Sequence, residues 1–198
     1  LLVQSLGHAA LGYLLATAVA VPLGFLMGRS ETAFHMFDPV VNAIYAIPTL
    51  AFVPFLVIWF GLFFEARTAL VFLMCVFDML VAVSAGARNV DPALINVGRS
   101  FAASRWQIAT RVLLPASLPF LFTALRIGLM RAVNGMITAE LFFAAVNLGA
   151  YMQQAQNRFD SAGLLAVLTI LCLLGLGVQE GIKGVEARAL PWHVRAGG

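Results

Sequence analysis

The sequence predicts an all-α polytopic membrane protein. Three observations predict it. Of 198 residues, 62% are hydrophobic and 11% charged, where a soluble domain carries about 25% charged residues. The mean hydropathy is +0.95. The apolar residues also fall into uncharged runs long enough to cross a hydrocarbon core of about 30 Å. A soluble chain of this size leaves about a third of its surface in water and could not hide so much apolar surface. An ordinary cytosolic enzyme, a secreted disulfide scaffold and a disordered segment are therefore excluded.

Five spans follow in order. Residues 9–28 form a first run without a charge. Residues 39–64 form a second, broken by Pro48 and Pro54. Residues 68–87 form a third, interrupted by Asp78, and residues 112–139 a fourth, carrying Arg126 and Arg131. Residues 161–179 form a clean fifth. Backbone in lipid must satisfy its own hydrogen bonds, so such runs read as helices. The short alternating strands of a membrane barrel are missing from the pattern. Residues 140–160, rich in Asn, Gln and Gly, are too broken for a span.

The cations orient the chain. Arg29, the cluster Arg88, Arg99, Arg105 and Arg111, and the trio Lys183, Arg188 and Arg195 share one side if the spans alternate. Arg67 and Arg158 lie on the other. The positive-inside rule puts the first set in the cytoplasm. Leu1 then lies outside. With no initiating Met and no basic leader, the chain reads as N-terminally truncated, with one preceding span expected and six in all.

The net charge of +3 comes from cations at span ends rather than from one basic face, which argues against nucleic acid. Cys75 and Cys172 lie in apolar runs and read as buried reduced thiols. His8, His35 and His193 are scattered near segment ends and read as solvated. No metal-ligand spacing is present. No phosphate-binding loop, hydrolase elbow or paired catalytic carboxylates appear either.

Two spans carry patterns with a physical meaning. In the first, Gly12, Ala16, Ala20, Gly24 and Gly28 recur every four residues. That spacing stacks them on one face, where small side chains admit a second helix closely. In the fourth, Gly128, Arg131, Gly135 and Thr138 share a stripe flanked by Asn134, with Arg126 nearby and Glu140 closing the run. A charge at the bilayer centre costs about 3 kcal/mol even on the insertion scale, so these residues must face protein or a water-filled path. Asp78 is the candidate counter-ion. A translocation-path lining and a structural ion pair both fit.

Residues 88–115 form the polar cytoplasmic loop. Asp91-Pro92 is a helix start, because Asp caps free N–H groups and Pro suits the first helical position. Leu94, Val97, Phe101 and Ile108 recur at helical spacing, with Arg99, Arg105 and Trp106 on other faces. This predicts an amphipathic helix over 91–108. Lying on lipid and docking into a partner's groove both suit it.

In this loop the run Arg99-Ser100-Phe101-Ala102-Ala103-Ser104-Arg105-Trp106-Gln107-Ile108, followed by Arg111-Val112-Leu113-Leu114-Pro115, resembles the signature loop of binding-protein-dependent ABC importer permeases. The family's acidic residue falls on Asn96, its two alanines on Val97 and Gly98, and its glycine on Ala102. The alanine at that glycine position implies a straighter bend. Tyr45-Ala46-Ile47-Pro48-Thr49-Leu50-Ala51-Phe52-Val53-Pro54, Leu125-Arg126-Ile127-Gly128-Leu129, and Ala139-Glu140-Leu141-Phe142 with Asn147-Leu148-Gly149 resemble the nitrate, taurine and aliphatic-sulfonate branch.

The resemblance implies a type I ABC importer permease-like helix bundle, a single permease domain over 1–198, in a bacterial inner membrane. It implies a permease homodimer in lipid, cytoplasmic ABC ATPase subunits and a periplasmic solute-binding protein. ATP and Mg would sit in the ATPase; this chain would be no enzyme and hold no cofactor. Asp91, Arg99, Phe101, Arg105 and Trp106 are the expected ATPase-coupling residues. Asp78, Arg126, Arg131, Asn134 and Glu140 are the candidate pathway residues, suited to a small anion. The alternative is an ion-coupled secondary transporter using Asp78, Glu140 and Arg131.

Overall fold

The computed structural model describes residues 2–143 and 147–189. Among the described residues the regular structure is helical throughout. Helix α1 spans Leu2–Arg29 and α2 Glu31–Tyr45. A 3₁₀ turn, Thr49–Phe52, leads into α3, Val53–Phe60. Helix α4 spans Phe64–Arg88, α5 Pro92–Ser100 and α6 Arg105–Ile108, which runs through a π-type turn, Ala109–Leu113, into α7, Leu114–Phe142. Helices α8, Asn147–Asn157, and α9, Ser161–Ala189, follow. Four of these stretches are long and apolar enough to cross a membrane, or five if the bent α2–α3 pair is one span.

Helices α1, α4 and α7 make the core. The small-residue ladder of α1 is its main seam. A Cβ added to Gly12 would lie 2.8 Å from the Thr68 oxygen, one on Gly24 2.8 Å from Val83 Cβ, and one on Gly28 2.5 Å from Ala87 Cβ. Ala16 and Ala20 are fully buried between them. Contact at this range replaces the hydrophobic effect, which is absent between helices in lipid, with dispersion.

The order of these contacts fixes direction. Gly12 meets Thr68 and Gly28 meets Ala87, so α1 and α4 run parallel. Gly86 meets Phe120 while Gly135 meets Val71, so α7 runs antiparallel to α4. Two parallel helices need a return crossing between them. The α2–α3 segment therefore carries the chain back from the Arg29 end to the Phe64 end, as a bent span.

That span differs from the expected run over 39–64. The helix begins eight residues earlier, where Ser30 Oγ accepts the Ala33 N–H at 3.2 Å, and Pro39 lies inside it. After Tyr45 the path turns by 83°. Pro48 has no N–H to continue α2, and Pro54 suits the first turn of α3.

Two other expectations are corrected. His8 is buried at 1% exposure and packs edge-on to Phe64, with ring centroids 6.0 Å apart. It is not solvated; His193 lies outside the described residues. Cys75 is buried but Cys172 is exposed on α9. The stretch 140–160, expected to be too broken for a span, holds a helix of 11 residues, α8, that is not among the candidate spans.

The Arg29 end is tied together by charge. Arg88 pairs with Glu31 at 3.2 Å and lies 3.9 Å above the Phe34 ring, while Arg29 donates to the Ala87 carbonyl at 3.4 Å. The loop with α5 and α6 leaves the bundle directly after this clamp.

Candidate functional site: a mid-membrane charge pair and an exposed polar loop

Asp78 lies fourteen residues into α4 and ten from its end, or about 21 Å and 15 Å along the axis. It is near the middle of any bilayer this helix crosses. Arg131 on α7 meets it there, with Nε 2.6 Å from Oδ2 and one Nη 3.4 Å from Oδ1. The Tyr45 hydroxyl donates to the same carboxylate, 2.6 Å from Oδ1. Tyr45 is the last residue of α2, at the edge of the 83° turn. One carboxylate thus joins α2, α4 and α7.

The Asp78 side chain is 12% exposed and that of Arg131 45%. Arg131 is therefore half exposed although paired. The non-helical turn beside it is accessible too, at Ala46, Ile47 and Pro48. Irregular backbone at membrane depth is stable only against protein or a water-filled cavity.

The other candidate residues do not join this pair. Arg126 is five residues before Arg131, roughly 140° round the helix. Asn134 lines a groove of about 480 Å³ between α7 and α9, with Met130, Ile137, Leu168 and Cys172. Glu140 lies nine residues on, about half a revolution away. It is buried at 2% exposure and accepts the Gly149 N–H at 3.3 Å through Oε2. Oε1 has no hydrogen-bond partner among the described residues. Gly128 and Gly135 pack on Met79 and Val71. The polar stripe is thus a packing seam with one charge pair.

Tyr45 was missed in the sequence as a polar partner. Its one local signal is its place before a proline-broken turn.

The loop differs from the single helix expected over 91–108. Asp91 Oδ1 accepts the Ala93 N–H at 2.8 Å, starting α5 with Pro92. The helix then stops at Ser100, and Ala102 takes φ +53°. The bend forms despite the alanine. A reciprocal capping box restarts the chain. The Ser104 N–H reaches Gln107 Oε1 at 2.8 Å, and the Gln107 N–H reaches Ser104 Oγ at 3.3 Å. The S-x-x-Q spacing carried that signal in the sequence. Ile108 is buried under this corner, close to Gly98. Phe101 and Trp106 stand outward, 83% and 76% exposed, with Leu94 and Val97 also exposed. Asp91 and Arg99 are exposed beside them, while the Arg105 side chain lies outside the described residues.

Comparison with known proteins decides the family. Residues 20–180 match the model of the binding-protein-dependent transport system inner membrane component. The chain belongs to this permease family. A probable ABC transporter permease of Brucella abortus is 34% identical over 97% of this chain and 77% of its own. The taurine transport system permease TauC of Escherichia coli is 31% identical over 97% of this chain and 70% of its own. A nitrate import permease, NrtB, of Leptolyngbya laminosa is 27% identical over 94% and 67%. The MetNI methionine ABC transporter, in inward-facing conformations, shares the fold of this permease at 20% identity, with a TM-score of 0.81 over 94% of this chain and 93% of its own.

Proposed function

We propose that this permease forms the membrane pathway of an ATP-driven importer for a small anion such as taurine, another sulfonate or nitrate. The observation that carries the coupling half is the exposed apolar pair Phe101 and Trp106 on the loop beyond the Arg88–Glu31 clamp. Large apolar side chains held on a rigid corner in water, outside the bundle, suit the groove of a protein partner. The cation distribution supports a cytoplasmic position for that corner, and the family supports an inner membrane.

In this reading two copies assemble side by side, and an ABC ATPase docks under each loop. ATP and Mg belong to the ATPase, which supplies the energy of hydrolysis. Phe101 and Trp106 anchor the contact. Arg99 and Arg105 make forked hydrogen bonds to partner carboxylates. Asp91 holds α5 in shape by its cap. A push on α5 passes through Gly98 and Ile108 to the start of α7. Residues 88–115 thus act as the coupling loop of a single permease domain. A periplasmic binding protein delivers solute on the opposite side. The similarity to taurine and nitrate permeases supports an anion as cargo. Arg131 offers it a mid-membrane cation.

The ion-coupled alternative has less support. Asp78 is already engaged by Arg131, and Glu140 lies on another face of α7.

Purification of the tagged full-length protein from its native membranes tests the importer reading. A stoichiometric ATPase is expected with the wild type and lost with Phe101→Ala/Trp106→Ala. Absence of any ATPase, under conditions that retain one on a known importer, overturns it.

A further inference from the structure

Arg131 is half exposed at mid-membrane, and the turn after Tyr45 is exposed as well. Asp78 meanwhile holds both. Its Oδ2 takes the Arg131 Nε and its Oδ1 takes the Tyr45 hydroxyl. An anion arriving at Arg131 meets a guanidinium already half used and a fixed negative charge beside it. We propose that Asp78 is a tethered counter-anion: the anionic group of the solute takes its place on Arg131 during passage, and its departure releases Tyr45 and the α2–α3 turn. This rests on the reading of the chain as an anion importer permease.

The physical argument has two parts. An unpaired Arg131 at this depth would be costly, so a resident carboxylate keeps the empty pathway stable. The same carboxylate keeps the site from holding the solute too tightly, because solute and Asp78 compete for one cation. Tyr45 makes the exchange visible to the backbone. Its bond to Asp78 ties the end of α2, where the helix is already broken and Pro48 cannot donate. Losing that bond removes the carboxylate's hold on the turn, which otherwise lies with Leu73 and Phe77 of α4 around a cavity of about 20 Å³.

The test uses the intact complex with its ATPases, in lipid nanodiscs without nucleotide. Nitrate, methanesulfonate and taurine are titrated separately, and binding is read as the anion-dependent rise in melting temperature. Asp78→Asn removes the competing charge and keeps the shape. It is expected to tighten apparent binding of at least one anion by about tenfold, within the usual range of coupling between two ligands. Tyr45→Phe loosens the hold on Asp78 and is expected to tighten binding by a smaller factor. Arg131→Gln alone leaves Asp78 without its cation and risks misfolding. The double variant Asp78→Asn/Arg131→Gln is neutral at both positions and is expected to fold and to lose the anion response.

Unchanged or weaker binding in Asp78→Asn overturns the counter-anion, and so does a complex with no anion response in either the wild type or Asp78→Asn. Loss of response in the double variant, alongside unchanged affinity in Asp78→Asn, leaves Arg131 as the anion site and removes Asp78 alone. An anion response that persists in the double variant removes Arg131 as well. The importer reading is judged separately, by ATPase co-purification.

Discussion

Asp78 on α4 and Arg131 on α7 are 53 residues apart in sequence and 2.6 Å apart in space. The antiparallel contact of α4 with α7 brings them to one level, and Gly128 and Gly135 on either side of Arg131 allow the helices close enough for the pair to form. The pair is asymmetric, because Asp78 is largely buried and Arg131 half exposed. Breaking it from the Asp78 side strands a half-exposed cation. Breaking it from the Arg131 side strands a buried anion.

Arg131→Gln is therefore expected to destabilise more than Asp78→Asn. A fully buried pair loses about 3–5 kcal/mol when one partner is removed. Half exposure of Arg131 puts Asp78→Asn well below that range, toward the ~1 kcal/mol at most of an exposed pair. The double variant should be less destabilised than the sum of the two, as expected for groups in contact. Melting curves of the three variants in one detergent check this. Strict additivity would mean that the pair contributes no coupling.

The α1 ladder gives a second expectation. Gly24→Val would place its Cβ 2.8 Å from Val83 Cβ, on a seam between two parallel helices that cannot both shift. Overpacking of this kind costs about 1–3 kcal/mol. Gly177→Ala inside α9 has nothing within 4 Å and should not destabilise, with a gain of up to about 0.5–1 kcal/mol from the lost glycine freedom. Thermal denaturation of the pair compares them. A neutral Gly24→Val would show that α1 does not pack as described.

The ladder was legible because a four-residue repeat needs only the geometry of one helix. The cap at Asp91 was legible for the same reason. The second span was misplaced by eight residues at its start because its bounds followed the charge-free run, whereas α2 carries Glu31 and Asp38 within it. The meeting of Tyr45 with Asp78 was not legible at all. It depends on an 83° turn and on which face of α4 is presented. His8 looked solvated because it lies near the start of the chain, but Phe64 covers it through the α1–α4 contact. Local pattern gave elements; polar partners across helices required their packing.

The signature-loop bend yields a third expectation. Ala102 holds φ +53°, where a Cβ costs about 1–2 kcal/mol. Ala102→Gly removes that strain and adds a smaller entropy cost of roughly 0.5–1 kcal/mol. The net gain is up to about 1 kcal/mol, seen as slower proteolysis of the loop. Ala102→Val, β-branched at positive φ, should speed it. If both variants are cleaved like the wild type, the positive φ is not populated in the membrane.

The capping box should transmit this geometry to the ATPase. Ser104→Ala removes the acceptor for the Gln107 N–H, and loss of an N-cap costs about 0.5–2 kcal/mol. The corner that presents Trp106 then frays, while Phe101 and Trp106 keep their chemistry. Solute-stimulated ATPase activity should fall severalfold in the reconstituted complex, with the amount of bound ATPase little changed at saturating concentration. Full stimulation would mean the corner is held by the partner rather than by its own caps.

The last expectation concerns Glu140, where α7 ends against α8. Oε2 accepts the Gly149 N–H at 3.3 Å, and Gly149 has no room for a side chain because an added Cβ would overlap the Glu140 carbonyl. Gly149→Ala must push α8 off the end of α7. Glu140→Gln keeps an acceptor for Gly149 and removes the buried charge. Removing a buried acceptor altogether leaves the donor unsatisfied at about 1–3 kcal/mol, so Glu140→Ala should be worse than Glu140→Gln. The expected order of melting temperatures is wild type or Glu140→Gln highest, with Glu140→Ala and Gly149→Ala clearly lower. Uptake that survives in Glu140→Gln makes Glu140 a structural pin between two helices. Loss of uptake in Glu140→Gln, with the fold intact, would give its negative charge a part in transport.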